Sequence, residues 1–168
     1  AKKGFNLVYK NLPKLIHDLE NIDLRQKVMY GAFLSATALM NSGTGPAAAM
    51  SYPLGVYYGV AHGIGGAIFL PHVVEYNINN NFYDYGDMLE SKNSKSRSKK
   101  ENAKIFLSNL FDVWENIGVP ESLNQFGLVK SEINNFTNST MELKGALDQN
   151  PVGFGENEVS LILSKLIK

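Results

Sequence analysis

No cysteine occurs anywhere in the sequence, and that single absence excludes disulfides, zinc–thiolate sites and thiol catalysis together. It fits a reducing compartment, and a cytoplasmic location is expected. Charge of either sign is also not in excess. The 16 basic and 16 acidic side chains cancel, so nothing global points to a nucleic acid or an anionic membrane surface. The first residues, "AKKGFNLVYKNLPKLIHDLENIDLRQK", carry charges throughout and hold no continuous apolar block, so they are not a signal peptide. No stretch shows the alternation of a half-buried strand, and no segment repeats. A third absence is local. From Val28 to Val74 there is no Asp, Glu, Lys or Arg.

Against these absences stand 44% hydrophobic and 19% charged residues, which describe a globular chain rather than a disordered one. Its 168 residues suit one domain with a sizeable core. Helical spacing dominates. Residues 4–19 place Phe5, Leu7, Val8, Leu12, Leu15, Ile16 and Leu19 three and four apart, with Pro13 expected to break or kink the helix. Asp23 is expected to cap a second helix from Leu24 to about Met40. That helix has almost no charge, so it should be surrounded by protein or lipid. "NSGTGP" (41–46) ends it. "ESKNSKSRSKKEN" (90–102) reads as a solvated loop, with no interleaved aromatics to suggest phosphate or nucleic-acid contact. "AKIFLSNLFDVWENIG" is an amphipathic helix with Phe106, Leu110, Val113, Trp114 and Ile117 on one face, and Trp114 is expected to be a core anchor. Helices near 131–141 and at 156–167 finish an all-α chain.

The charge-free stretch "AAAMSYPLGVYYGVAHGIGGAIFLPHVVEYN" (47–77) is the informative one. Gly55, Gly59 and Gly63 recur at a spacing that lets membrane helices approach closely. Pro53, Pro71, three tyrosines and two histidines interrupt the only window long enough to span a bilayer, so a membrane span is rejected. The glycines serve a buried helix equally well, by admitting a neighbouring backbone or a ligand. "GVAHGIGG" imitates a glycine-rich nucleotide loop, but no strand precedes it.

From Met50 to Asn77 the stretch resembles the iron-containing (group III) alcohol dehydrogenases. Their common form reads H-x-M-A-H-P-L-G, then P-H-G, then L-P-H-V-x-x-x-N. The likeness extends to "LRQKVMYGAFLSATALMNSGTGP", to "VWENIGVPESLNQFG" and to "NPVGFGENEVSLILSKLI", so it covers almost the whole chain. It implies the all-α helical bundle that forms the C-terminal domain of such enzymes, beside an N-terminal dinucleotide-binding α/β domain, with the active site in the cleft between them. It implies hydride transfer between NAD or NADP and a small alcohol or aldehyde. A divalent iron or zinc would polarise the substrate oxygen as a Lewis acid. Residues 1–168 are thus expected to be one helical domain of a longer protein, since the chain opens without Met on residues that already look helical. The missing part would hold the cofactor and the family's first two metal ligands, an Asp and a His. Self-association into a homo-oligomer would fit the family, but the sequence does not decide it.

Aligned on P-L-G and H-G, the resemblance carries a metal-ligand histidine onto His62. The domain's other ligand histidine falls on Ala48, and a non-ligand active-site histidine falls on Tyr52. Alanine offers no lone pair, so the metal site is depleted. His62 is then either a metal ligand and substrate-polarising group or a hydrogen-bonded structural imidazole. Tyr52 is either a proton relay or a filler of vacated space; a phenol is a weak acid, and relay work near neutrality needs a neighbouring cation or cofactor hydroxyl. Gly55 and Gly63 are candidates for close approach of the cofactor, with tight packing as the other reading. His72 is read as structural or cleft-lining, and His17 as a surface residue. Two functions follow. The chain is the substrate side of an NAD(P)-dependent oxidoreductase, inactive by itself, or a non-catalytic descendant keeping the fold for binding or assembly.

Overall fold

The computed structural model describes residues 1–89 and 92–168; Glu90 and Ser91, within the expected solvated loop, lie outside the described residues. Among the described residues eight α-helices follow in order: α1 Lys2–Leu15, α2 Ile22–Leu39, α3 Pro46–Tyr58, α4 His62–Asn79, α5 Lys99–Asn116, α6 Ile133–Met141, α7 Lys144–Leu147 and α8 Glu156–Leu166. Short 3-10 turns join several of them, and there is no strand among the described residues. The all-α expectation holds. Contacts divide the chain into two compact units, residues 1–43 with 83–118, and residues 44–82 with 119–168.

The first unit is built on α1, α2 and α5. At Gly4 and Gly31 the backbones of α1 and α2 come so close that a methyl group on Gly31 would sit 2.9 Å from the Gly4 carbonyl oxygen. Phe5 packs on Phe106 of α5 with ring centres 5.3 Å apart. Three expectations need correction here. Asn21, not Asp23, caps α2, its side chain accepting from the Leu24 amide at 3.1 Å. Asp23 instead lies in the first turn, where its charge suits the helix dipole. The α5 helix begins at Lys99, inside the stretch read as loop. Ser98 and Glu101 form a reciprocal capping box there. Lysines and serines that look like solvated loop are also what a helix N-terminus exposes. Its buried apolar face is Ala103, Phe106 and Leu110, whereas Trp114 is only half-buried and is no central anchor.

Helix α2 departs most from expectation. Of its own residues only Gly31 is buried, while Met29, Phe33 and Met40, just past its end, are 69%, 65% and 88% exposed. Absence of charge describes what a helix lacks, not what covers it. None of the described helices is long and apolar enough to cross a membrane.

The second unit holds the larger core, with Met50, Leu54, Ile68, Phe69, Leu123, Leu128, Phe136, Val159 and Leu163 essentially sealed from solvent. The glycine-rich segment forms the hairpin α3–α4. Gly59 adopts the left-handed conformation (φ 67°) and ends α3, with the Val60 amide donating back to the Leu54 carbonyl. Such a Schellman-type ending satisfies carbonyls the helix would leave open and reverses the chain in three residues. The asparagine closing L-P-H-V-x-x-x-N and the one opening N-P meet here. Asn77, fully buried, exchanges two amide hydrogen bonds with Asn150, at 2.8 and 2.7 Å. This pair ties α4 to the loop before α8.

Candidate functional site

Two helices meeting at a tight turn bring together the residues singled out between Ser51 and Gly63. His62 is the first residue of α4, exposed, directly after the turn that ends α3. Its Nδ1 lies 2.7 Å from Oγ of Ser51, near the middle of α3. Ser51 is only 1% exposed, and its hydroxyl donates to the Ala48 carbonyl at 2.7 Å. Tyr52, the next residue, stays half in solvent and lies over the imidazole, with ring centres 5.0 Å apart and planes at 52°. So the sequence-predicted pair His62 and Tyr52 is assembled, and a third residue, Ser51, is assembled with it.

The glycines divide by surroundings. A methyl group at Gly63 would meet no atom, so the surface beside His62 is open. At Gly55 it would approach the Val60 carbonyl to 3.3 Å, and at Gly65 it would press on Cβ of Ser51 at 3.0 Å. Gly65 thus lets α4 pack against α3 where Ser51 reaches His62, and Gly55 makes room for the turn. The glycine run lies inside a helix with no strand before it, which removes its likeness to a nucleotide loop.

A groove between α3 and α6 borders Tyr52. One part, of about 160 Å³, is lined by Tyr52, Pro53, Val56, Tyr57, Ser139, Glu142 and Leu143. A larger part, of about 310 Å³, shares Tyr57 and Ser139 and continues past Tyr58, Glu132, Asn135 and Phe136. Tyr58 donates to Glu132 at 2.9 Å. Loss of water around the phenol, and then that hydrogen bond to a carboxylate, push its pKa up to about 12. Tyr58 is therefore locked as a donor and takes no part in proton exchange near neutrality. His72, half-buried on α4, has its pKa lowered mainly by burial, with Lys165 adding to this and Glu75 opposing it. His17 is exposed.

The donors of this chain do not by themselves make a metal site. Among the described residues no three His, Cys, Asp or Glu side chains gather. Of the two positions that the family pattern gives to ligand histidines, one is Ala48. A lone imidazole does not make a dedicated site. Sequence reasoning missed Ser51. The available signal was its place in the pattern H-x-M-A-H-P-L-G, where it stands at the alanine, but a polar side chain on a small-residue helix does not announce its partner.

Comparison with known proteins gives this helical fold, with its hairpin and paired motif asparagines, a family. The profile described as Fe-containing alcohol dehydrogenase family, C-terminal, matches residues 1–167. The chain belongs to that family. It is 27% identical over 165 residues to a 1,3-propanediol dehydrogenase of Citrobacter freundii, covering 96% of this chain and 42% of the relative. It is 25% identical over 164 residues to long-chain-alcohol dehydrogenase 1 of Geobacillus thermodenitrificans, with the same coverage of 96% and 42%. The crystal structure of a 1,3-propanediol oxidoreductase superposes with a TM-score of 0.90 at 24% identity, over 99% of this chain and 44% of that one. An alcohol dehydrogenase from Oenococcus oeni gives 0.86 at 20% identity, over 98% and 43%. The chain thus spans less than half the length of the curated relatives it matches.

Proposed function

We propose that this chain is the substrate side of an NAD(P)-dependent alcohol/aldehyde oxidoreductase that works in the cytoplasm, with hydride passing in a cleft between it and a dinucleotide-binding α/β domain. The observation that carries this reading is the exposed His62–Tyr52 pair, set in a helical domain whose family match runs from end to end. A nicotinamide held by the other domain would supply hydride in the reducing direction, and this chain's own part is to give a proton to the alcohol oxygen that results. Tyr52, with an accessible hydroxyl, delivers that proton and regains one from solvent, and His62 accepts the hydroxyl of the alcohol so formed. Oxidation of the alcohol reverses each transfer. Gly63 leaves the approach to His62 open for the substrate or the nicotinamide ring. No step is assigned to a metal, because this chain's own donors do not make a site for one.

By itself the chain is expected to turn over no nicotinamide. Joined to the dinucleotide-binding half of a relative, it is expected to oxidise NADH or NADPH when short aldehydes are added. His62→Ala and Tyr52→Phe should each slow that reaction by roughly 100-fold, the lower end of what a positioned proton-transfer group contributes. Full activity in Tyr52→Phe would overturn the relay. The second reading, a non-catalytic descendant using the fold for binding, is favoured by Ala48 alone. It predicts nucleotide binding or assembly with no aldehyde-dependent turnover.

A further inference from the structure

Ser51, His62 and the Ala48 carbonyl share two protons in only one way. The Ala48 oxygen carries none, so the 2.7 Å contact from Ser51 Oγ must be made by the serine's own proton. Oγ then meets His62 only through its lone pairs. The second 2.7 Å contact therefore requires the proton to sit on Nδ1 of the imidazole. In the neutral ring that leaves Nε2 unprotonated. We infer that Ser51 is a positioning residue that holds His62 as the Nδ1–H tautomer, so that Nε2 faces the substrate as a hydrogen-bond acceptor and takes the hydroxyl of an alcohol.

The same geometry excludes a serine–histidine nucleophile. Ser51 is 1% exposed, so no substrate reaches its oxygen, and its proton is committed to a carbonyl rather than to the imidazole. Holding the tautomer costs specificity to maintain, because a histidine left to itself in water favours the proton on Nε2. The support is built in: Gly65 allows α4 to press on Ser51, where any larger residue would push the two helices apart. An acceptor at Nε2 pairs with an alcohol O–H and not with an aldehyde oxygen, which also only accepts. The alcohol half of this inference deepens the oxidoreductase reading and rests on it, whereas the tautomer rests on geometry alone.

The test is a long-range proton–nitrogen correlation spectrum of the ¹⁵N-labelled chain at about pH 9, where an ordinary imidazole is neutral. His62→Gln identifies the His62 signals among the three histidines. The expected result is a pyrrole-type Nδ1 and a pyridine-type Nε2 at His62. Ser51→Ala should shift the population to Nε2–H while leaving signals of the second unit's core in place; the family pattern itself has alanine there. A wild-type ring protonated on Nε2, or an unchanged tautomer in Ser51→Ala, would overturn the inference. As a probe of the acceptor role, 1-propanol should move the Nε2 resonance and methyl propyl ether, which has no donor, should not. Equal responses to the two would overturn the acceptor role. Both effects seen in a chain that supports no turnover when joined to a nucleotide-binding half would support this inference and count against the oxidoreductase reading.

Discussion

Replacing Asn150 with alanine removes three hydrogen bonds. Two are the reciprocal amide bonds to Asn77, and the third, at 2.7 Å, goes to the Val152 carbonyl. A typical bond contributes about 1 kcal/mol net, and a buried polar group deprived of a partner costs about 1–3 kcal/mol. Asn77 is 0% exposed, so water cannot replace the lost amide without opening the core. The expected loss is about 3 kcal/mol, or roughly 6–12 °C in Tm at about 2–4 °C per kcal/mol for a chain of this size. Urea unfolding followed by far-ultraviolet circular dichroism measures it as a lower midpoint at unchanged slope. Asn77→Ala should lose a similar amount. The double variant should lose less than the sum, with a coupling of about 0.5–3 kcal/mol. An Asn150→Ala midpoint within about 0.5 kcal/mol of wild type, the range of ordinary surface changes, would refute the claim that the pair ties α4 to the loop before α8.

Gly31→Ala should destabilise by about 1–3 kcal/mol by forcing α1 off α2, although alanine is the better helix former; a more stable variant in thermal melts would sink that reading. His72 has a folded pKa below its ordinary 6.5, so the unfolded chain binds more protons in that window. Its contribution is fully present above pH 6.5 and is lost as pH falls through the window toward the folded value. Urea midpoints should therefore drop between neutral and mildly acidic pH, less steeply in His72→Gln, and parallel pH profiles would contradict this. The isolated chain should bind zinc no more tightly than one exposed imidazole does, and saturable one-to-one binding in calorimetry would show that the donor set has been misjudged.

Much of this was legible in the sequence for identifiable reasons. Helices α6 and α8 lie within two residues of where the sequence places them, and Gly155 stands at the N-terminal border of α8. His62 and Tyr52 stand at positions whose register a motif fixes, and the folded chain sets their rings side by side. What stayed hidden depends on three-dimensional partners. Periodicity shows which residues of α2 share a face, but Phe33 and Met40 being exposed depends on what surrounds that face. Asn21 and Asp23 are equally good caps on paper, and only the backbone turn chooses between them. Ser51 is silent in the sequence because its meaning lies in two partners, the Ala48 carbonyl three residues back, to which it donates, and the His62 ring at the start of the next helix.

The central claim is that this domain completes an oxidoreductase through His62 and Tyr52. Its most direct test is aldehyde-dependent oxidation of NADH and NADPH by the chain joined to the part of the Citrobacter freundii relative that it does not match, wild type beside His62→Ala. The account predicts turnover in the wild type and a fall of roughly 100-fold in the variant. Nucleotide binding without aldehyde-dependent turnover, or equal rates in both proteins, would contradict it.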